Sequence, residues 1–242
     1  MADRAVAVRV AVSHAPAAQL RAVRFTWPSA PPFTLAVPDL TVAAGEKLLL
    51  VGPSGAGKST LMSLLCGVVR PDAGSVTVLG SDLGAMRGAA RDRFRGEHFG
   101  VLFQMFNLLP YASVIDNVVL PLRFAPARRV RAASNGGEAV RLLARLGIDD
   151  TTARQGVASR LSVGQQQRIA AARALIGNPE IIVADEPTSA LDRESQSSFL
   201  DLLFAEVART HATLVTVSHD PALAPRFDRV VALDSIATVK RG

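Results

Sequence analysis

Gly52-Pro53-Ser54-Gly55-Ala56-Gly57-Lys58-Ser59-Thr60 is the stretch on which the reading of this chain turns. It is a full G-x-x-x-x-G-K-[ST] phosphate loop, with Gly52, Gly57, Lys58 and Ser59 at the fixed positions. Its flanks supply the structural context. Lys47–Val51 is an almost unbroken apolar run, as a parallel strand buried on both faces requires. After Lys58, the spacing of Leu61, Leu64, Leu65 and Val68 predicts an amphipathic helix. Strand, glycine loop and helix thus follow in order. Glycines let successive N–H groups turn inward, and the helix N-terminus adds partial positive charge, so the loop is built for phosphate. Lys58 is expected to reach the β- and γ-phosphates, and the Ser59 hydroxyl to hold Mg²⁺. The loop alone leaves open which nucleotide binds, and to what end.

Composition narrows the class. A chain of 242 residues with 49% hydrophobic residues suits one domain, or one with a subdomain, and a full core. The lone Cys66 falls on the apolar helix after the loop, which excludes a disulfide framework and reads as a small core residue in a reducing compartment. No apolar run approaches the ~20 residues needed to span a bilayer. Arg4, Arg9 and His14 interrupt any signal-peptide core, so a soluble cytoplasmic chain is expected. The net charge of +6 is carried almost wholly by arginine, with lysine only at 47, 58 and 240. The clusters Arg87, Arg91, Arg93, Arg95 and Arg123, Arg128, Arg129, Arg131 offer bases no aromatic series as a stacking surface. A solvated arginine surface is the first reading, an anionic membrane face the second and nucleic acid a distant third.

Taken in order, Met1–Ala18 carries no motif and is left as a tail or an edge strand. Leu20–Trp27 alternates as a strand does, Pro28–Pro32 breaks it, and Phe33–Val42 is a second strand, bulged or at an edge because it holds Pro38 and Asp39. Trp27, the single tryptophan, could stack on a base; on residue physics alone a core aromatic is favoured. Val76–Leu79 is a short strand, Ser81–Glu97 a charged helix, and His98–Phe103 an apolar strand ending at Gln104. Tyr111–Leu122 predicts a short helix broken at Pro121. Arg128–Gly137 is the most loop-like stretch, and Glu138–Gly147 an amphipathic helix stopped by Gly147.

The second informative region opens at Leu161-Ser162-Val163-Gly164-Gln165, a Ser/Gly N-cap before a helix that runs to about Gly177. The apolar strand Ile181–Ala184 then leads into Asp185-Glu186-Pro187-Thr188-Ser189-Ala190-Leu191-Asp192. Two adjacent carboxylates at the end of a buried strand are costly without a cation. Mg²⁺ held from the other side by Ser59 would supply one, with Asp185 as ligand and Glu186 polarising a water. The last strand, Leu214–Val217, ends in Ser218-His219, and strand ends of such sheets are where ligands bind.

Together these residues resemble the ATP-binding cassette of ABC transporters, across Leu20–Val239. The resemblance implies a P-loop NTPase fold of the ABC ATPase type: an α/β core with a mostly parallel sheet, an antiparallel edge sheet from the N-terminal strands, and an inserted helical subdomain. The expected layout is a cassette domain at 19–242, with core 19–87 and 161–242 and insertion near 88–160. It implies Mg²⁺-dependent ATP hydrolysis by a head-to-tail homodimer with two ATP molecules between the subunits. Gly52–Thr60 would cradle the phosphates, Trp27 would stack on adenine, and Gln104 would sense the metal and the attacking water. Glu186 would be the catalytic base, with His219 and Lys58 on the γ-phosphate. Ser162, Gly164 and Gln165 would serve the nucleotide of the other subunit, and Asp192 would cross the dimer contact. It also implies a separate integral-membrane permease as partner and a peripheral place on the cytoplasmic face of the inner membrane, with no role for nucleic acid.

Families of this kind usually read Leu-Ser-Gly-Gly-Gln, and here Val163 replaces the first glycine. An ordinary backbone φ is expected there, since a β-branched residue with φ > 0 would cost about 1–3 kcal/mol. Asp234-Ser235-Ile236-Ala237 likewise lacks the expected glycine turn. Gln104–Pro110, with Val114–Val118 and Leu120–Leu122, resembles more narrowly the cassettes of lipoprotein-releasing, macrolide-exporting and cell-division complexes. Phe106, Leu108, Leu109 and Tyr111 read as a greasy surface for a partner helix, or as subdomain core. The rivals are a soluble ABC ATPase of DNA repair or translation, a regulator of a cell-division or cell-wall complex, and a nucleotide kinase. A repair cassette would need a long coiled coil, for which no heptads exist, and a kinase has no use for Leu161–Gln165.

Overall fold

The computed structural model describes residues 15–28, 31–133 and 135–241. The expectations placed on residues 1–14, including Arg4, Arg9 and His14, lie outside them. In chain order the elements are β1 (Ala18–Trp27), β2 (Phe33–Val42), β3 (Lys47–Val51), α1 (Lys58–Leu65), β4 (Ala73–Val78), β5 (Ser81–Asp82), α2 (Gly88–His98) and β6 (Phe99–Leu102). There follow α3 (Val114–Val119), α4 (Pro126–Arg131), α5 (Asn135–Arg145), α6 (Asp150–Gln155), α7 (Val163–Leu175), β7 (Ile181–Asp185) and α8 (Arg193–Thr210). The chain closes with β8 (Thr213–Ser218), β9 (Arg229–Ala232), α9 (Leu233–Ile236) and β10 (Thr238–Arg241).

Two sheets organise these elements. The parallel one runs β6-β7-β8-β3-β9, which puts the phosphate-loop strand beside β8. The antiparallel one runs β10-β2-β1-β4-β5. The apolar run of β3 feeds both faces of its sheet. Leu49 joins a core built with α3, α5, α7 and α8, whereas Leu48 and Leu50 join a second core shared with α1 and the antiparallel sheet. A strand covered on both sides has no polar alternation to show, hence the continuous run. The fold is the expected α/β arrangement, with helices α3–α6 inserted between β6 and α7.

Several local expectations are corrected. Pro38 and Asp39 lie on the edge of β2 that β10 leaves uncovered, as one of the two alternatives had it, but the bulge of the hairpin sits across from them in β1. Ala22 takes φ 48° and forms an extra residue in the pairing with β4. Opposite it, a Cβ on Gly74 would come within 2.3 Å of the Ala22 carbonyl oxygen, so only glycine fits. Helix α1 stops at Leu65, and Val68 is 57% exposed beyond it. The predicted helix at Ser81–Glu97 begins only at Gly88, because Ser81–Asp82 pairs with β4 first. His98 closes α2 instead of opening β6. Cys66 is buried as expected, and burial pushes its thiol up to about 12.

The largest correction is Arg128–Gly137, read as a loop and in fact mostly helical in α4 and the start of α5. Arg128, assigned to a solvated surface, is 2% exposed. Its guanidinium donates to the carbonyls of Gly96, Phe99, Ala174 and Ile176, the free ends of α2 and α7 and the first residue of β6. Burial lowers its pKa to about 10, which leaves it charged at neutral pH. Orphan carbonyls at two helix ends substitute for a carboxylate partner.

Candidate functional site

Gly57 precedes α1 with φ 95°, and a Cβ there would lie 3.0 Å from Leu35 Cδ1 and 3.3 Å from Phe33 Cζ. The loop can curl under β2 only because this residue has no side chain. Lys58 Nζ folds back to donate to the Gly52 carbonyl at 2.7 Å and the Pro53 carbonyl at 3.1 Å, and lies 3.9 Å from Glu186. Ala56 donates to the Pro53 carbonyl at 3.2 Å, which closes the loop's own turn.

Above this loop lies a cavity of about 400 Å³, lined by Trp27, Phe33, Ser54, Gly55, Gly57, Lys58, Ser59, Thr60, Gln104, Asp185, Glu186 and His219. Six separate stretches supply these side chains, and the parallel sheet accounts for the convergence of three of them. β6, β7 and β8 all end at the same edge, which delivers Gln104, Asp185 with Glu186, and Ser218 with His219. Ser59 Oγ donates to Asp185 Oδ2 at 3.3 Å. Burial raises the Asp185 pKa, and the neighbouring Glu186 adds to the rise. Glu186 has φ 47°, the left-handed region, which turns its side chain back toward the cavity. Its carboxylate accepts from the Ser218 hydroxyl at 3.2 Å and meets His219 Nδ1 at 2.9 Å. Such anchoring fixes the carboxylate at one place and orientation.

Trp27 is no core residue. It is 38% exposed at the cavity rim, its ring edge-on to Phe25 with centroids 5.0 Å apart, and its indole Nε1 donates to Thr60. Phe33, its partner across the β1–β2 pairing, was missed by the sequence reading. The signal lay in the hairpin register, which puts the two aromatics opposite each other. Ser218 was quoted but given no role.

Ser162, Gly164, Gln165 and Asp192 are not among the cavity residues. Ser162 caps α7 with a reciprocal box: its Oγ accepts from Gln165 N at 3.3 Å, and Gln165 Oε1 accepts from Ser162 N at 3.0 Å. Val163 takes an ordinary φ as first residue of the helix, exposed to solvent. The N–H groups of Val163 and Gly164 have no intrahelical acceptor, so the exposed end is furnished with donors. Asp192 caps α8 through the Ser195 N–H and hydroxyl, at 2.9 and 2.8 Å, and these bonds lower its pKa.

Against known proteins, the sequence model described as ABC transporter matches residues 35–189. The chain belongs to the ABC transporter family. The lipoprotein-releasing system ATP-binding protein LolD of Anaeromyxobacter dehalogenans is 41% identical over 220 residues, covering 90% of each chain. The macrolide export ATP-binding/permease protein MacB of Rhodopseudomonas palustris is 40% identical over 230 residues, 92% of this chain. This cassette spans only 34% of that relative's length. A solved dimeric bacterial ABC transporter cassette superimposes with a TM-score of 0.75 at 30% identity, covering 93% of this chain and 98% of the other. A dimeric post-hydrolysis state bound to ADP and Pi gives 0.74 at 30% identity, covering 89% and 93%. This is an ATP-binding cassette of the ABC ATPase fold. Among the described residues no helix is long and apolar enough to cross a membrane.

Proposed function

We propose that this cassette hydrolyses ATP with Mg²⁺, closing head to tail on a second copy and driving an integral-membrane permease of export or lipoprotein-release type from the cytoplasmic face. The observation that carries the reading is the pair Ser59 and Asp185, 3.3 Å apart on the cavity wall beside the anchored Glu186. The residues fit the ligands. Asp185 is a half-buried carboxylate whose one hydrogen-bond partner among the described residues is a hydroxyl, and a divalent ion there would offset its burial. The glycine cradle leaves room for phosphate.

Bound ATP supplies the phosphoanhydride, and Mg²⁺ offsets the charge on its β- and γ-phosphates. Lys58 exchanges loop carbonyls for phosphate oxygens. Ser59 and Asp185 hold the metal, and Gln104 faces them from the end of β6. Glu186, held by Ser218 and His219, accepts the proton of the attacking water. Trp27 and Phe33 offer aromatic faces to the base. Ser162, Gly164 and Gln165 furnish the opposite subunit's γ-phosphate with donors, and Asp192 lies across the contact. We divide the cassette as core 19–87 and 161–242, with the inserted subdomain near 88–160.

Relatives known for lipoprotein release and macrolide export support the transport class. The test is phosphate release by the purified chain, with Mg²⁺ and with the metal chelated. Turnover that persists under chelation, or its complete absence with Mg²⁺, would sink the reading.

A further inference from the structure

Beyond Gln104 the chain does something costly. Phe106 and Asn107 both occupy the left-handed region, at φ 56° and 49°. Two consecutive non-glycine residues there persist only where the surroundings over-determine them. Among the groups that hold them, one side chain grips both. Arg173, on α7, is 8% exposed and has no carboxylate partner among the described residues. Its Nη1 donates to the Asn107 carbonyl at 2.6 Å, and its Nη2 to the Phe106 carbonyl. Phe106 N–H closes a turn on the Phe103 carbonyl at 3.0 Å, with Gln104 and Met105 at its tip. The far end of the loop is pinned by buried Asn117, which accepts from Leu109 N–H at 2.7 Å and donates to the Leu109 carbonyl at 3.1 Å.

We propose that Arg173 is a positioning residue for Gln104. It fastens the turn that presents Gln104 to the helix whose other end carries Ser162 and Gly164. The planar guanidinium suits this role, since its two Nη groups hold both carbonyls in one fixed plane, whereas an ammonium that donates to two carbonyls, as Lys58 does, imposes no such plane. From Val163 to Arg173 is ten residues, about 15 Å along a helix that moves as one body. Any displacement of the Ser162 end therefore reaches Gln104 through this contact. The inference rests on the nucleotide reading above for its effect on turnover, but not for the clamp itself.

Two measurements on the full chain decide it. In the nucleotide-free protein, Arg173→Lys should speed amide exchange across residues 103–109 about tenfold or more while leaving exchange in β7 and β8 unchanged. In the presence of Mg²⁺ and ATP it should lower kcat about tenfold to a hundredfold, the range expected of misplacement. ATP affinity, read by Trp27 fluorescence, should stay within about twofold. Adding Asn107→Gly, which relaxes the left-handed requirement, should recover part of kcat; a purely structural role would show no such recovery. If Arg173→Lys does not fold, Asn107→Pro unseats the turn from its own side and should give the same exchange and the same kcat loss. Unchanged exchange in residues 103–109, or a kcat loss matched by an equal loss of affinity, overturns the proposal. An inactive parent chain would sink the hydrolysis reading instead, and the exchange result would still decide the clamp.

Discussion

Trp27 and Thr60 meet at the rim of the phosphate cavity, the indole Nε1 donating to the threonine hydroxyl at 3.0 Å. The single tryptophan of the chain is thereby tied to the last residue of the phosphate loop.

Binding of ATP should therefore change the intrinsic fluorescence of the protein. Trp27→Ala should weaken ATP binding by about 1–3 kcal/mol, the worth of one base–aromatic stack. Thr60→Val removes the tether but keeps the ring, and its loss should be smaller, about 0.5–1.5 kcal/mol. Equal affinities for parent and Trp27→Ala, measured by calorimetry, would rule out stacking.

Asp185 gives a prediction with a sign that can be worked out. Its folded pKa lies above the unfolded value, so the native state holds the proton more tightly. The stability cost is absent at pH below the unfolded value, grows as pH rises through the folded one, and persists at neutral pH. Asp185→Asn should therefore raise the melting temperature of the nucleotide-free protein at pH 7 and flatten its pH dependence between pH 4 and 7, while abolishing Mg²⁺-dependent turnover. A variant that melts lower than the parent, or that still hydrolyses ATP, contradicts the assignment.

Glu186→Gln keeps the shape and the contacts with Ser218 and His219 but loses the base. ATP should bind without cleavage, and a dimer should accumulate with ATP and not with ADP. Adding Ser162→Arg should dissolve it, because a long cationic side chain blocks the donors at the start of α7. Light scattering behind size exclusion reads both states. A Glu186→Gln protein that stays monomeric at saturating ATP would leave the paired site without support.

A surface prediction follows from exposure. Phe106 and Leu108 pack against the core, whereas Tyr111 is 81% and Phe124 71% exposed. Of the residues first assigned to the greasy surface, Tyr111 stays exposed, Phe106 and Leu108 take the core alternative, and Phe124 joins Tyr111 outside. Tyr111→Asp and Phe124→Asp should retain basal ATPase activity and soluble yield, yet lose co-purification with a co-expressed permease partner. Full retention of the permease by the double variant would move the contact elsewhere.

How much of this could be read in advance depends on where the physics was local. The phosphate loop is local: glycine spacing, a buried strand before it and a helix after it all lie within Lys47–Leu65. Asp185 and Glu186 were legible because adjacent carboxylates ending an apolar strand demand a cation. Arg128 was not, because its acceptors at Ala174 and Ile176 lie 46 and 48 residues away. A charged run between turn residues looks like solvent-facing loop until those helix ends come into view. Phe33 was lost for a like reason, since only the pairing of β1 with β2 puts it opposite Trp27. The left-handed pair Phe106–Asn107 had only the faint signal of Asn107, since asparagine tolerates that region and phenylalanine does not.

The long reach of Arg128 also bears on the order in which the chain can fold as it is made. A guanidinium buried without acceptors is strongly disfavoured. Those on α7 do not exist until the ribosome has added nearly fifty further residues, so α4 has only the Gly96 and Phe99 half of its seat when it first emerges. Residues up to 160 would then wait, loosely collapsed, for the end of α7, and the two cores would set together and not one after the other. A force-sensitive arrest reporter should register pulling only once Ile176 has cleared the exit tunnel. Arg128→Met, which needs no carbonyls, should let that force begin earlier; an onset unchanged by the substitution would separate Arg128 from the timing.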